Sequence, residues 1–363
     1  MISLQIGLAM AGGLVLAGVV AHGAWTARKN LPKRATPEAP PAVDPAPLSD
    51  GGPGFESPQQ GYERREPRFQ DSSGDESGLE SLRRLTTLER KPGLDALIDV
   101  IAPVVLEAVV SGEAALAAMP TTRRAGSKPF GVEGLGVLSG EWEFPAAGQR
   151  YSAFQCGVQL ANRMGALNQI EYSEFVMKAQ AFADAVGGEP EFPEMLDEVA
   201  RARELDQFAS AHDAQLGFTL RALHTAWSPG YVQQSAARLG FVAGSIPGRM
   251  VLPANQAGSA PLLGLAFNTQ AALAEDPEQT ALREVILSLD VPQVSRAEQP
   301  FMRLREVALA LASSMDGSII DDNGNEIHAE GMDVIGAELE LLYDMLDARD
   351  LSAGSVLARR LFS

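Results

Sequence analysis

The side chains able to do chemistry are few. The 363 residues include four histidines and one cysteine, Cys156. His212, His224 and His328 show no ligand spacing with one another or with Cys156, which excludes the common zinc and iron patterns. No glycine-rich phosphate loop of the Walker type occurs. Asp321-Asp322-Asn323-Gly324-Asn325-Glu326 has the composition of a calcium loop, but its glycine stands fourth instead of sixth and Met332 occupies the twelfth place. Asn323-Gly324 between Ile319-Ile320 and Ile327 predicts a tight turn instead. The carboxylates at Glu194, Asp197, Glu198 and Glu204, and at Glu338 and Glu340, are spaced as on the wet side of amphipathic helices. The spacing does not read as paired catalytic acids. Gly131 to Gly136 reads as a loop, and the basic pairs Arg123-Arg124 and Arg359-Arg360 as surface charge. Cys156 reads as a buried small apolar side chain. With no nucleophile beside a base and no ligand set, the expectation is a protein without cofactor or metal that works by binding, not an enzyme.

The rest of the chain must then present a surface. A hydrophobic fraction of 45% is enough for one or two cores in a chain of this length. The net charge of -18 arises almost wholly after residue 70, which disfavours nucleic acid and anionic lipid as ligands of that part and points to a protein partner. One cysteine gives no internal disulfide framework and suits a reducing compartment.

The N-terminus is the strongest single signal. Met1 to Ala27 carries no charged side chain, and Leu4 to Trp25, through Leu14 and Val20, spans about 30 Å as a helix, the thickness of a hydrocarbon core. Trp25 stands where an interfacial aromatic belongs, and Arg28, Lys29, Lys33 and Arg34 follow, so the C-terminal side is expected in the cytoplasm. A cleaved signal peptide is the competing reading, since Ala21-His22-Gly23-Ala24 loosely resembles a cleavage site, but a signal peptide carries its positive charge before the apolar run. Gly7 with Ala11 and Gly13 with Ala17 give the small-residue spacing through which two such helices pack, so a homodimer through the anchor is one expectation.

Nine prolines fall between Asn30 and Arg68 among polar and small residues, a composition that predicts an extended, disordered linker. Beyond it, short β-like runs alternate with longer helical ones. The strands are expected at Leu97 to Val104, Phe154 to Leu160, Leu216 to Leu220, Leu262 to Phe267 and Val285 to Val291. Helical periodicity is clear over Phe301 to Met315 and Ile335 to Leu346. Tyr172 to Gly188 overlays Phe301 to Gly317 without a gap: Tyr172 meets Phe301, Phe175 meets Leu304, Phe182 meets Leu311, Ala183 meets Ala312 and Val186 meets Met315. Two tandem copies of one unit are therefore expected. The organisation is an anchor over 1-27, a linker over 28-93, a first unit over 94-213 and a second over 214-363, of α/β or α+β class.

Arg238-Leu239-Gly240-Phe241, Pro261-Leu262-Leu263-Gly264-Leu265-Ala266, Val285 to Pro292, and Met315-Asp316-Gly317-Ser318-Ile319-Ile320-Asp321-Asp322 follow one another in an order that, behind such an anchor and linker, resembles the bacterial cell-division protein ZipA family. Ala183-Asp184-Ala185-Val186-Gly187-Gly188 repeats the family's helix end in the first unit. The resemblance implies a split β-α-β domain, an antiparallel sheet with helices on one face and an apolar groove on the other. It further implies that the groove takes the C-terminal tail of FtsZ, tethering that polymer to the inner membrane at the division site, with the N-terminus periplasmic. Ile246, Ala266 and Ile286 stand at groove positions in kind, and Asn268 and Ser288 stand where the family has a methionine and a phenylalanine. Met250, Leu263 and Phe267 would supply apolar surface if the register were shifted by one residue. The family carries one such domain, so a second copy is a departure. The alternatives are a membrane-tethered enzyme of the cell envelope and a scaffold for another envelope protein.

Overall fold

A computed structural model of the chain describes Lys33 and residues 93-363, except 256-257, 277-278 and 322. The anchor residues Leu4, Leu14, Val20, Trp25, Arg28 and Lys29, and nearly all of the linker, lie outside the described residues. Among the described residues no helix is long and apolar enough to cross a membrane. The fold is α+β, with antiparallel sheets and eight α-helices among these residues.

The first half runs β1 (Asp99–Ser111), α1 (Gly112–Ala118), β2 (Arg124–Ala125), β3 (Lys128–Gly136), β4 (Trp142–Glu143), β5 (Arg150–Gln159), a small hairpin β6 (Ala161–Asn162) and β7 (Gly165–Ala166), α2 (Gln169–Val186), β8 (Gly188–Pro190) and α3 (Met195–His212). Its sheet has the order β2-β3-β5-β1-β8, with β4 beside β3. The second half runs β9 (Gln215–Ala222), α4 (Pro229–Ala237), β10 (Val242–Ala243), β11 (Arg249–Leu252), β12 (Leu263–Ala266), α5 (Thr269–Ala272), β13 (Glu284–Asp290), α6 (Pro300–Met315), β14 (Gly317–Ile320), α7 (Ala329–Asp347) and α8 (Val356–Leu361). Its sheet has the order β10-β11-β12-β13-β9-β14. In both halves the short strand after the long helix returns to pair antiparallel with the first strand, and the strand before that helix pairs antiparallel on the first strand's other side.

Why these residues make these layers is visible in the periodicities. On α2, Tyr172, Phe175, Ala179, Phe182 and Ala183 are buried. They lie over the inward side chains of β1 and β5, Val100, Ala102, Val104, Phe154, Cys156 and Val158, all buried. Phe154 and Phe182 meet edge to face with centroids 5.2 Å apart, a preferred aromatic geometry. On α6, Phe301, Leu304, Val307, Ala308, Leu311 and Met315 are buried against the inward side chains of β9, β12 and β13. An offset of 129 residues, 301 minus 172, carries the buried face of α2 onto that of α6 and also carries Gly187 onto Asp316. Both of those residues end their helices in the left-handed region, at φ 68° and 60°. Glycine adopts this conformation freely, and aspartate is among the few other residues that tolerate it.

Two expectations are corrected here. Gly131 to Gly136 is the second part of β3, not a loop. Its glycines serve close packing, since a Cβ on Gly134 would lie 2.4 Å from the Tyr151 ring and one on Gly131 would touch Leu94 at 3.4 Å. Arg360 is not surface charge. It bonds the carboxylate of Asp99, which is fully buried, at 2.5 Å and donates to the Gly93 carbonyl at 3.0 Å.

Arg360 belongs to the join between the halves, which fall in one contact unit. Leu361 and Phe362 are buried there. Gln159 of β5 donates to the Arg360 carbonyl at 2.9 Å, and Gln293 donates to the Phe362 carbonyl at 2.6 Å, so the C-terminal turn is bonded by both halves. Beside it the Arg163 guanidinium grips Asp213 and Asp290 through four hydrogen bonds of 2.6 to 2.8 Å. These two carboxylates hold the Arg163 pKa above its ordinary value, chiefly through the hydrogen bonds to Asp213. Because all three side chains remain partly wet, replacing Arg163 with alanine should lower stability by only about 1 kcal/mol. The loss should shrink in 0.5 M salt, read by urea denaturation at two ionic strengths.

Candidate functional site

The helices cover one face of the second sheet and leave the other open. The side chains of that open face follow from strand alternation. Val285, Leu287 and Leu289 of β13 point inward and are buried, so Glu284, Ile286, Ser288 and Asp290 point out. Register aligns them into rows. One row runs Arg249, Ala266, Ile286, Thr219, Ile320, and the next runs Val251, Gly264, Ser288, Gly217.

Ile286 is 49% exposed at the middle of the first row. Gly264 and Gly217 flank Ser288, whose hydroxyl donates to the Gly264 carbonyl at 3.4 Å. The face is thus a strip of mostly small residues around Ile286, covered at its β14 side, where Ile320 is buried. Ion pairs close both ends, Arg221 with Glu284 at 2.7 Å and Arg163 with Asp290 at 2.8 Å.

The matching face of the first sheet is occupied. Gly131 and Gly157 are register partners on β3 and β5, and Leu94 lies across both, so close that a Cβ on Gly157 would meet its Cδ2 at 2.5 Å. Leu94 is fixed by its own amide, which donates to Glu133 at 3.1 Å, and the other Glu133 oxygen accepts from Gln155 at 2.8 Å. Glu133 is buried on that face. A leucine on a pair of strand glycines thus covers the first sheet, and the 129-residue offset that carries α2 onto α6 carries Gly157 onto Ile286, whose register partner is Ala266.

Among the expected groove residues, Ala266, Ile286 and Ser288 come together on the open face. Met250 does not: it is buried on the helix side, because β11 sends Met250 and Leu252 inward. Leu263 and Phe267 are buried as well, so the one-residue shift does not occur. Asn268 accepts from the Gln270 amide and caps α5. Ile246 lies in the turn before β11, closed by the Arg249 amide on the Ile246 carbonyl at 3.0 Å, and lines a cleft with Gln233, Ala237 and Phe241 beside α4, on the opposite side of the sheet. Gly217, Thr219, Val251 and Gly264 were missed. Alternation along Leu216 to Leu220 carries their signal, but only the pairing of β9 with β13 shows which neighbours they meet.

The chemistry-bearing residues are spread apart. Cys156 is buried under α2, and burial pushes its thiol up to about 12, so it stays protonated and inert at neutral pH. His212 stacks on Phe208 and bonds its carbonyl at 2.7 Å. Asp321 closes the Asn-Gly turn by accepting from the amides of Asn323 and Asn325, which holds its carboxyl below the usual range. No group of three or more His, Cys, Asp or Glu that could hold a metal occurs among the described residues.

A cleft of about 480 Å³ between α6 and α7 is lined by Phe301, Met332 and Tyr343 together with Arg296 and Arg305. Its arginines are already committed, Arg296 to Glu340 and Asp344 and Arg305 to Asp333. Burial raises the Tyr343 hydroxyl to about 12, leaving a neutral phenol.

No protein-family model matches the chain, and no curated protein matches it.

Proposed function

We propose that the protein is a membrane-tethered adaptor whose second half binds an apolar peptide segment on its open sheet face. Each half runs from a first strand through a helix and a set of antiparallel strands to a long helix and a short strand that returns beside the first, which supports a split β-α-β reading, and we read the two as tandem copies of one unit. In that reading the particular kinship is to the ZipA family and the segment is the FtsZ C-terminal tail, joined to the inner membrane through residues 1-27 and the proline-rich linker. The observation that carries the assignment to the second half is the contrast between the faces. Leu94 covers Gly131 and Gly157 in the first, whereas in the second Ile286, paired with Ala266, is left 49% exposed among the described residues.

Ile286 stands among glycine, serine and alanine, so a partner would pack large side chains of its own around it. Helix-in-groove recognition works this way when residues at i, i+3 or i+4 and i+7 of the guest fill recesses in the host. The ion pairs at the two ends give the guest a direction. Affinity for one tail is expected to be weak, and many tails on one polymer offset that through effective concentration.

Titration calorimetry of the full chain in nanodiscs with the FtsZ tail peptide tests this. The expected result is one site per chain in the micromolar range, and the absence of binding sinks the reading. Replacing Leu94 with alanine should uncover Gly131 and Gly157 and raise the stoichiometry from one towards two. An unchanged stoichiometry would mean that the first face differs in more than its occupant.

A further inference from the structure

Lys33 is separated from the first sheet by the whole proline-rich stretch, yet it is bonded to the second half. Its amide donates to the Ala226 carbonyl at 2.7 Å, and its carbonyl accepts from the Ser228 amide at 2.8 Å. It forms a parallel bridge to Trp227, whose other edge pairs with Leu282 through two bonds of 2.8 Å. Trp227 is fully buried and Ala226 nearly so. Lys33 thus supplies partners for main-chain groups in a segment largely out of water, where an unmade hydrogen bond is costly.

The side chain adds a second contact. Lys33 Nζ donates at 2.9 Å to the carbonyl of Met315, the last residue of α6, which also accepts from Trp227 Nε1 at 2.8 Å. The ammonium lies 3.6 Å from Asp316, which holds His224 at 3.2 Å. A cation at a helix C-terminus is where the helix dipole favours it. Two main-chain bonds, a helix-end bond and an ion pair converge on one residue, which is more than a surface lysine ordinarily makes.

We propose that the strand edge at Ala226–Ser228 is a docking surface for this chain's own membrane-proximal segment, with Lys33 as the docked residue. The consequence, which rests on the anchor reading above, concerns reach. Eight residues separate Trp25 from Lys33, at most about 29 Å of extended chain. The second half is then pinned near the bilayer. The length of the proline-rich stretch then does not set how far the second half extends.

Hydrogen exchange on the full chain in nanodiscs tests the docking. The Ser228 amide should exchange at least tenfold faster in Lys33→Pro, which lacks the N–H that Ala226 accepts, while the Leu282 amide is unchanged. Equal rates at Ser228 overturn the proposal. A carbodiimide that joins amines to carboxylates gives a second readout on the unmodified protein: a Lys33–Asp316 cross-linked peptide is expected, and its absence counts against docking even if the variant misfolds.

Reach is read by energy transfer from a dye at Gln233→Cys to labelled lipid. Doubling the length of the 36-90 stretch should leave the distance unchanged, and an increase overturns the short reach. If the anchor reading itself is wrong, the chain does not enter vesicles, but the Ser228 difference and the cross-link persist.

Discussion

Replacing Arg360 with alanine should destabilise the folded region by about 3-5 kcal/mol, because it leaves the Asp99 carboxylate buried without its partner. Asp99 is fully buried and the Arg360 side chain is 17% exposed, so solvent screens the pair little. Burial is the largest influence on Asp99 and outweighs the attraction of Arg360, so its carboxyl titrates above the ordinary aspartate range even in the intact pair. The sign of the pH dependence follows. A carboxyl whose folded pKa is raised contributes stability that is present below the unfolded pKa of about 3.9 and lost as pH rises through the folded one. Removing Arg360 raises the folded pKa further. The gap between the parent protein and Arg360→Ala should therefore be widest at pH 7 and narrow as pH falls and Asp99 takes up a proton in both. Urea denaturation at pH 7 and pH 5 measures this, and a gap that widens on acidification would show that Arg360 acts through packing and not through charge. Arg360 also donates to the Gly93 carbonyl next to Leu94, so the variant should loosen the cover of the first sheet face.

The second large effect is expected at Ile286. Aspartate there removes the central apolar side chain of the open face and places a charge where a guest would exclude water. Half of the isoleucine is already covered, so the lost burial is worth about 1 kcal/mol, and desolvating a carboxylate adds about 2 kcal/mol more. Together these predict roughly a hundredfold loss of tail binding. The fold should be unaffected, because Ile286 lies on the outward face of its strand and its neighbours Val285 and Leu287 keep the inward face. Calorimetry with matched circular dichroism checks both parts. The same substitution at Ile246 should change binding little, since that residue lies on the helix side of the sheet. Equal losses at both positions would place the guest elsewhere.

The two expectations about Ile286 and Ile246 show where sequence reading reached and where it stopped. Periodicity alone located the long helices, because Phe301 to Met315 and Tyr172 to Val186 recur at a spacing that only one helical face satisfies. Alternation located β9, β12 and β13 for the same reason. The 129-residue offset between the two long helices was legible because burial selects residue type at equivalent positions of an amphipathic face. The turn at Asn323-Gly324 was legible because it depends on backbone conformation at two residues.

What depends on contacts distant in sequence was not legible. Gly131 and Gly134 looked like loop residues until Leu94 and Tyr151 were seen to need the space their missing side chains leave. Arg360 looked like surface charge because nothing local to the C-terminus shows that it reaches Asp99, 261 residues away. Met250 and Ile246 looked like groove residues, and the pairing of β11 with β12 turned one inward and placed the other beside α4.

The sequence by itself determined a mixed α and β chain, the faces of its long helices and main strands, and the scarcity of reactive side chains, because each depends on composition or on neighbours within a turn or two. Only the tertiary structure decided which sheet face stays open. That outcome depends on where Leu94 comes to rest, and a residue's resting place across a sheet is set by the packing of the whole unit.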